Sequence, residues 1–429
     1  MYLTSWGRLY KSKTKVSFLE RDSPSAVFRQ DRPCLIRGQG KSYGDANLFS
    51  NQHTILTDTY QYFKSFNSNT GVLECESGVL LKDIQDTFIP KGWILPVTPG
   101  TQLITVGGAI ANDIHGKNHH VRGTFGHHVI EIQLLRSDQQ IIMCSRTQNQ
   151  ELFYATIGGI GLTGIILSAK IQLLTIHSAT LDVEYLNFHG VKEFLDLAEV
   201  SNAWEYTVSW IDCLSGKNVR GIFMRANHQK ILHLDNIKGK RQQKIPFTPP
   251  LSCINTLSLK IFNELFYQVN KKHKIISQHL YQFQYPLDAI ENWNVLYGKK
   301  GFYQYQCVIP FECAKEAIEN LLDLIRIAQQ GSFLVVLKTF GKIQSEGLLS
   351  FPMEGVTLAL DFPNRGQKTL ELFKQMDKVV IEAKGRLYLA KDARMDAEMF
   401  NSTYVNVQKF KKYRDPLISS DMAKRLFGY

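Results

Sequence analysis

Over residues 1–175 the apolar positions fall in short blocks separated by glycine-rich turns. Cys34 to Arg37, Thr54 to Leu56, Val72 to Glu76, Val129 to Leu135 and Ile141 to Cys144 have the length and bounding residues of strands. Helical spacing, with apolar residues three and four apart, is sparse here. It appears over Leu80 to Phe88 and Gln148 to Ile157, and the second stretch leads through glycines into a strand-like Ile165 to Leu174. This mixture predicts an α+β half with mixed strands.

The texture changes near Leu181. From there to Lys384 longer strands alternate with helices, including a strand over Phe302 to Ile309, a helix over Ala314 to Ala328 and a strand over Phe333 to Lys338. Ala226 to Leu280 reads as loop and is basic, with Lys230, Lys238, Lys240, Arg241, Lys244, Lys260, Lys271, Lys272 and Lys274 set against Asp235 and Glu264. The segment from Arg386 to Tyr429 returns to a short strand followed by helical patterns. A chain of 429 residues, 44% hydrophobic, exceeds what one core usually supports, so two domains are expected.

A formal charge of +11 favours an anionic partner without choosing among phosphate, nucleic acid and lipid headgroup. The seven cysteines (Cys34, Cys75, Cys144, Cys213, Cys253, Cys307 and Cys313) are scattered with no CxxC pair, which predicts buried reduced thiols rather than disulfides or a zinc site. Met1 to Val16 carries Arg8, Lys11, Lys13 and Lys15 but no apolar h-region, so a secretory signal is not expected and a cytoplasmic start is. No window approaches the ~20 apolar residues that cross a bilayer. The best candidate, Ile157 to Leu174, is glycine-rich and interrupted by Lys170, so any membrane contact is expected to be peripheral, on the inner face.

Three glycine clusters are the first chemical signal: Arg37-Gly38-Gln39-Gly40-Lys41-Ser42-Tyr43-Gly44-Asp45, Pro99-Gly100-Thr101 running to Gly107-Gly108, and Gly158-Gly159-Ile160-Gly161-Leu162-Thr163-Gly164. Backbone without side chains lets N–H groups converge on phosphate oxygens, so the three together suit a pyrophosphate cofactor. Gly159, Gly161 and Gly164 also match G-x-G-x-x-G. A dinucleotide-binding Rossmann turn needs a strand before it and a helix after it, and the order predicted here is the reverse.

Asn112-Asp113-Ile114-His115-Gly116-Lys117-Asn118-His119-His120, with His127 and His128 close behind, places five imidazoles within fourteen residues. Metal binding by His115, His119 and His120 lacks the helix of an H-E-x-x-H site and an evident carboxylate ligand, so no metal is expected. Acid–base and anion chemistry by His115 and Lys117 is the preferred reading.

These words occur together in one family. The run Thr98-Pro-Gly-Thr to Thr105-Val-Gly-Gly-Ala-Ile, the block Asp113-Ile-His-Gly-Lys-Asn-His-His and Gly161-Leu-Thr-Gly-Ile-Ile resemble the FAD-binding half of the decaprenylphosphoryl-ribose oxidase family, within the vanillyl-alcohol-oxidase, PCMH-type FAD-binding superfamily. The likeness continues through Phe302-Tyr-Gln-Tyr-Gln, Ser350-Phe-Pro, Gly385-Arg-Leu-Tyr-Leu-Ala-Lys-Asp, Asp415-Pro-Leu and Ser420-Asp-Met-Ala, and is weakest across Ala226 to Gln278. It implies a two-domain α+β fold: residues 1–177 bind FAD, residues 178–385 form a sheet-plus-helix substrate domain, and residues 386–429 return to the FAD domain.

The resemblance implies cofactor contacts at Arg37, Gly38, Gln39, Gly40, Lys41, Ser42, Tyr43, Gly44, Asp45, Gly100, Thr105, Val106, Gly107, Gly108, Asn112, Asp113, Ile114, His115, Ile166 and Tyr388. It implies substrate contacts at Gln304, Gln306, Lys338 and Lys391, and catalytic roles for His115, Lys391 and Lys117. The implied reaction is oxidation of the 2′-hydroxyl of a polyprenylphosphoryl ribose to the 2′-keto sugar, the first half of an epimerisation to arabinose for cell-envelope glycan. A separate NAD(P)H-dependent short-chain reductase would complete it, and no nucleic acid partner is implied. Lys391 is the candidate for stabilising negative charge, and either His115 or a neutral Lys391 for taking the hydroxyl proton. The alternative is an aldonolactone or alditol oxidase acting on a small soluble sugar.

Departures from the family are specific. Lys41 stands where several superfamily relatives carry a flavin-linking His, which implies non-covalent FAD. Thr357 and Ala359 stand where mycobacterial members have Asn and Cys, and Gln284 where they have Tyr.

Overall fold

The computed structural model describes residues 1–28, 32–216, 219–234, 243–250 and 252–428, and among these the three sheets of more than two strands organise it. The smallest is parallel, with Lys15–Phe18 and Cys34–Arg37 flanking His53–Leu56. The second is antiparallel, in the order Ile141–Ser145, Val129–Leu135, Ile165–Gln172, Val72–Glu76, Phe63–Asn67. Strand side chains alternate between faces, so Leu73 with Cys75, Ile132 with Leu134 and Ala169 with Ile171 share one side. All are buried in one core with Leu81, Ile84 and Phe88 of the helix Leu81–Phe88 and Val106, Ala109 and Ile110 of the helix Val106–Ala111.

The third sheet has eight antiparallel strands in the order Lys274–His279, Thr180–His189, Arg220–His228, Tyr206–Ile211, Val335–Phe340, Gly355–Pro363, Phe302–Ile309, Arg386–Leu387. Its period-2 alternation separates two jobs. Tyr303, Tyr305, Cys307, Val335, Leu337, Leu358 and Leu360 pack under the helices Phe311–Ile327 and Gln367–Glu382. Gln304, Gln306, Val336, Lys338, Ala359 and Asp361 take the opposite face, which fronts the cavity described below.

After Arg386–Leu387 the chain crosses back to the first half. Ser419 N–H donates to Cys34 O at 2.9 Å and Asp415 N–H to Leu162 O at 2.7 Å. Arg425, on the helix Asp421–Phe427, meets Asp45 at 2.7 Å and Asp392 at 3.0 Å.

The stretch from Ala226 to Leu280 is not loop, as its sequence suggests. It contains the fifteen-residue helix Thr256–Asn270 and the edge strand Lys274–His279. Asn255 caps the helix, its side chain accepting from the N–H groups of Leu257 and Ser258 at 3.1 Å each. A second, outward set of apolar residues blurs the one-sided stripe by which a surface helix is normally recognised. Lys238, Lys240, Arg241 and Asp235 lie outside the described residues.

Other boundaries move less. The strand expected over Ile165 to Leu174 ends at Gln172, and Leu174–Thr175 pairs separately with Trp93–Ile94. The helix Gln150–Thr156 precedes the third glycine cluster and a strand follows it, the order that excludes a Rossmann turn. All seven thiols are free and five are buried, but Cys253 is exposed and Cys313 half-buried.

Breaking a buried ion pair leaves its partners uncompensated, at a cost of about 3–5 kcal/mol. Arg425→Ala strands Asp45 and Asp392, so its thermal unfolding midpoint should fall by several degrees relative to the parent. Calorimetry of the two proteins is the check, and an unchanged midpoint would count against this clamp.

Candidate active site

Four loops converge on the open face of the eight-stranded sheet and enclose a cavity of about 680 Å³. They run through Arg37 to Ser42, Thr98 to Thr105, Asn112 to Lys117 and Ile160 to Gly164, with Gln304, Gln306, Lys338, Tyr388 and Lys391 opposite.

Close backbone approach shapes the first loop. A Cβ on Gly38 would sit 2.5 Å from Thr105 Oγ1, and Gly40 has a φ of +64° that side-chain-bearing residues rarely adopt. Among the described residues, the amides of Gly38, Gln39, Gly40 and Lys41 take no backbone partner, whereas Tyr43 N–H donates to Ala390 O at 3.1 Å. Those loop amides are therefore available to an anion. The second loop differs. Gly107 N–H donates to Ser77 O at 2.8 Å and Gly108 N–H to Thr105 Oγ1 at 3.1 Å, so these glycines serve close packing. Ser77 Oγ, Asn47 Oδ1 and His115 Nδ1 are buried in the cavity wall without a partner, and such groups call for a ligand. Glycine walls, free amides and unpaired polar atoms in a cavity of this size fit a large phosphate-bearing cofactor.

Of the positions assigned to the cofactor, Gly44, Asp45, Val106 and Asp113 do not line the cavity. Gly44 packs against the Asp392–Ala393 backbone, where a Cβ would fall 1.9 Å from Asp392 O. Asp45 is held by Arg425, and Val106 is sealed in the core. Asp113, fully buried with a φ of +39°, accepts from Gly126 N–H at 2.9 Å and Ser350 Oγ–H at 2.5 Å. Burial raises its carboxyl pKa, and those bonds fix the turn that presents His115 and Lys117.

The other histidines hold structure. His120 Nε2 meets Trp204 O at 2.8 Å, His128 Nε2 meets Arg122 O at 2.9 Å, and His127 Nδ1 accepts from Thr124 N–H at 3.0 Å. His119 Nδ1 accepts from Gly341 N–H at 3.3 Å. Only His115 lines the cavity. Its Nε2 lies 3.0 Å from Gln306 Nε2, and Gln306 also reaches Thr357 Oγ1 at 3.3 Å. With the amide as donor, the ring proton sits on Nδ1, the atom left without a partner. Burial, reinforced by the charges of Lys338, His119 and Lys391, pulls the His115 pKa well below its ordinary value. The ring is neutral and a weak base.

Three lysines, Lys338 buried and Lys117 and Lys391 half-buried, share this wall. Lys338 Nζ donates to Gly116 O at 2.5 Å and Lys117 Nζ to Gln284 O at 2.8 Å, while Lys391 Nζ lies 4.0 Å from the Tyr43 ring centroid. Burial pushes Lys338 down to about 7 and Lys117 to about 8. It also lowers Lys391, against the opposing attraction of Asp361. None of the three forms an ion pair among the described residues.

Asp361 escapes the sequence reading. It pairs in register with Gln304 and accepts from that amide at 2.7 Å, and burial raises its pKa. The available signal was a carboxylate closing an otherwise apolar strand, Val356 to Asp361. Trp6, whose ring lies 3.9 Å from Lys41 Nζ, and Asp288, which accepts from Gln102 N–H at 2.9 Å, are further wall residues that the motifs did not mark.

Residues 26–145 match the FAD binding domain family. The chain is 32% identical over 340 residues to the mouse Delta(24)-sterol reductase, spanning 72% of this chain and 64% of that one. It is 32% identical over 142 residues to the Arabidopsis thaliana cytokinin dehydrogenase 2, spanning 32% of this chain and 27% of that one. It is 33% identical over 461 aligned residues to the decaprenylphosphoryl-beta-D-ribose oxidase of Mycolicibacterium smegmatis, spanning 99% of this chain and 97% of that one. Likeness along the full length of both chains, with an FAD-binding match over the glycine loops, shows that this protein is an FAD-dependent oxidoreductase and belongs to the decaprenylphosphoryl-ribose oxidase family.

Proposed function

We propose that the protein oxidises the 2′-hydroxyl of a polyprenylphosphoryl ribose to the 2′-keto sugar. The observation that carries this reading is the pair of lysines Lys117 and Lys338, each donating to a backbone carbonyl and facing one cavity without a carboxylate in ion-pair contact. Cations in such a wall without an ion-pair partner favour an anionic ligand, here the phosphodiester of the substrate. The same cavity has an apolar arm walled by Trp210, Met224, Phe262, Phe266 and Phe283, suited to the first units of a lipid chain. A small soluble aldonolactone or alditol would use neither feature, so that alternative is not favoured.

Residues 1–177 with 386–429 would hold FAD, chiefly through the amides of Gly38 to Lys41 and the walls at Gly100, Thr105, Asn112, Ile114, Ile166 and Tyr388. Residues 178–385 would hold the sugar phosphate. When bound, FAD supplies the acceptor for the hydride that leaves the carbinol carbon.

The chain supplies binding, orientation and proton handling. Lys338 and Lys117 hold the phosphate. Gln304 and Gln306, on the same side of one strand, orient the sugar hydroxyls, and His115 Nδ1–H donates to a hydroxyl oxygen. Lys391 takes the hydroxyl proton at Nζ, since burial lowers its affinity for that proton while the imidazole of His115 is too weak a base. General-base assistance is typically worth ~10²–10⁴ in rate. The 2′-keto product then requires reduction by a separate NAD(P)H-dependent short-chain reductase to complete the epimerisation.

Lys41 offers no imidazole for a covalent link at the first loop, so acid precipitation should release all the yellow chromophore into the supernatant. Colour retained in the pellet would contradict this. Lys391→Ala and His115→Ala should keep flavin absorbance yet slow substrate-driven bleaching in stopped flow, by roughly 10²-fold or more for Lys391→Ala. Near-parental rates in both would remove them from the chemistry. KM should rise as pH increases through about 7, because Lys338 then loses the charge that binds phosphate. Lys338→Gln should show a KM that is high and flat between pH 6 and 7.5, and a parental pH profile in that variant would assign the titration elsewhere.

A further inference from the structure

The helix Thr256–Asn270 is apolar on two sides. Leu259, Asn263 and Tyr267 are buried against the protein, with Asn263 Nδ2 donating to Asp212 Oδ1 at 2.6 Å. Phe262 and Phe266, next around the helix, line the cavity's apolar arm; their ring centroids lie 4.8 Å from Phe333 and 4.7 Å from Trp210. Beyond them, Leu257, Ile261, Leu265 and Val269 recur every fourth residue and are 69%, 53%, 62% and 70% exposed. A surface helix ordinarily keeps such a stripe toward the core. The edge strand Lys274–His279 adds exposed Ile276, which pairs in register with Val183 on the helix side of the sheet. Lys260, Lys271 and Lys272 stand exposed around this apolar field, and its acidic neighbour Glu264 is tied to Arg220 at 2.8 Å.

We propose that this outward face seats in an anionic lipid surface, with Leu257, Ile261, Leu265 and Val269 entering the acyl boundary and the lysines meeting headgroup phosphates. Two observations choose a bilayer over a protein partner. The field pairs exposed apolar side chains with cations, the complement of an anionic lipid interface. It is also continuous around one helix with the Phe262 and Phe266 wall of the substrate cavity, so a polyprenyl chain could pass from membrane to active site without crossing water. Among the described residues no helix is long and apolar enough to span a membrane, so the contact is a surface one. This inference rests on the lipid-linked substrate of the proposed function.

The test compares the FAD-loaded parent with the exposed-face variant Leu257→Gln, Ile261→Gln, Leu265→Gln, Val269→Gln. Gln keeps helix propensity, and unchanged flavin absorbance and thermal midpoint verify the fold. Both proteins are co-sedimented with vesicles of phosphatidylcholine mixed equally with phosphatidylglycerol, and of phosphatidylcholine alone, at low and high salt. The parent should partition onto the anionic vesicles, the variant at least about tenfold less, and high salt should weaken the parent without abolishing its binding. Equal sedimentation of parent and variant, or no parental binding at low salt, overturns the proposal. So does a parent that is dimeric by light scattering while the variant is monomeric, since a second copy would then cover the stripe. A kinetic arm separates this inference from the proposed function. The variant should match the parent on a short-chain, soluble ribosyl phosphodiester and lose rate only on a long-chain substrate held in vesicles. If neither substrate bleaches the parent's flavin, the proposed reaction fails while the vesicle result stands by itself.

Discussion

An ammonium group taken out of water costs several kcal/mol unless neighbours replace its hydration, and at one cavity Lys338 is buried while Lys117 and Lys391 are half-buried. Their compensation is local and incomplete. Gly116 O accepts from Lys338, Gln284 O accepts from Lys117, and the Tyr43 ring lies under Lys391. Each contact joins distant parts of the chain: Lys338 lies 222 residues from Gly116, and Lys117 lies 167 residues from Gln284. Satisfying these cations thus ties the loop from Asn112 to Lys117 to the eight-stranded sheet.

That arrangement depends on a rigid support. Asp113, strained at positive φ and bonded to Gly126 N–H and Ser350 Oγ–H, fixes the turn from which His115 and Lys117 project. Gln306 holds the His115 ring from the sheet side, with Thr357 as the second partner of its amide. Thr357 replaces the Asn of mycobacterial relatives at this contact, and its hydroxyl still accepts from Gln306. The departure, fully buried behind the cavity wall, therefore preserves the support of the imidazole.

Some carboxylates near the site are structural and others tune it. Asp45 and Asp392 meet Arg425 and close the returning C-terminal segment onto the first half. Asp361 lies on the cavity face, bonded to Gln304, and its field opposes the effect of burial on Lys391. The two kinds cannot be told apart by residue type. What separates them is whether the partner is a guanidinium within the fold or an amide that faces the cavity.

Local chemistry made much of this protein legible in its sequence. Glycine loops, strand-length apolar blocks and the order helix, glycine cluster, strand depend on near neighbours, and they predicted the α+β class and the exclusion of a Rossmann turn. Gln304 and Gln306, two apart on one strand, were bound to share a face by the pleat alone. The helix Thr256–Asn270 escaped because an outward apolar stripe removed the contrast that marks a surface helix. The exclusion of Gly44, Asp45, Val106 and Asp113 from the cavity, and the inclusion of Asp361, were decided by tertiary structure. Whether a side chain meets a ligand, a guanidinium or the core depends on what the rest of the chain brings opposite it. For Asp45 that partner is Arg425, 380 residues away. The basicity of His115 and of the three lysines was set in the same way, because desolvation exists only once the cavity has closed around them.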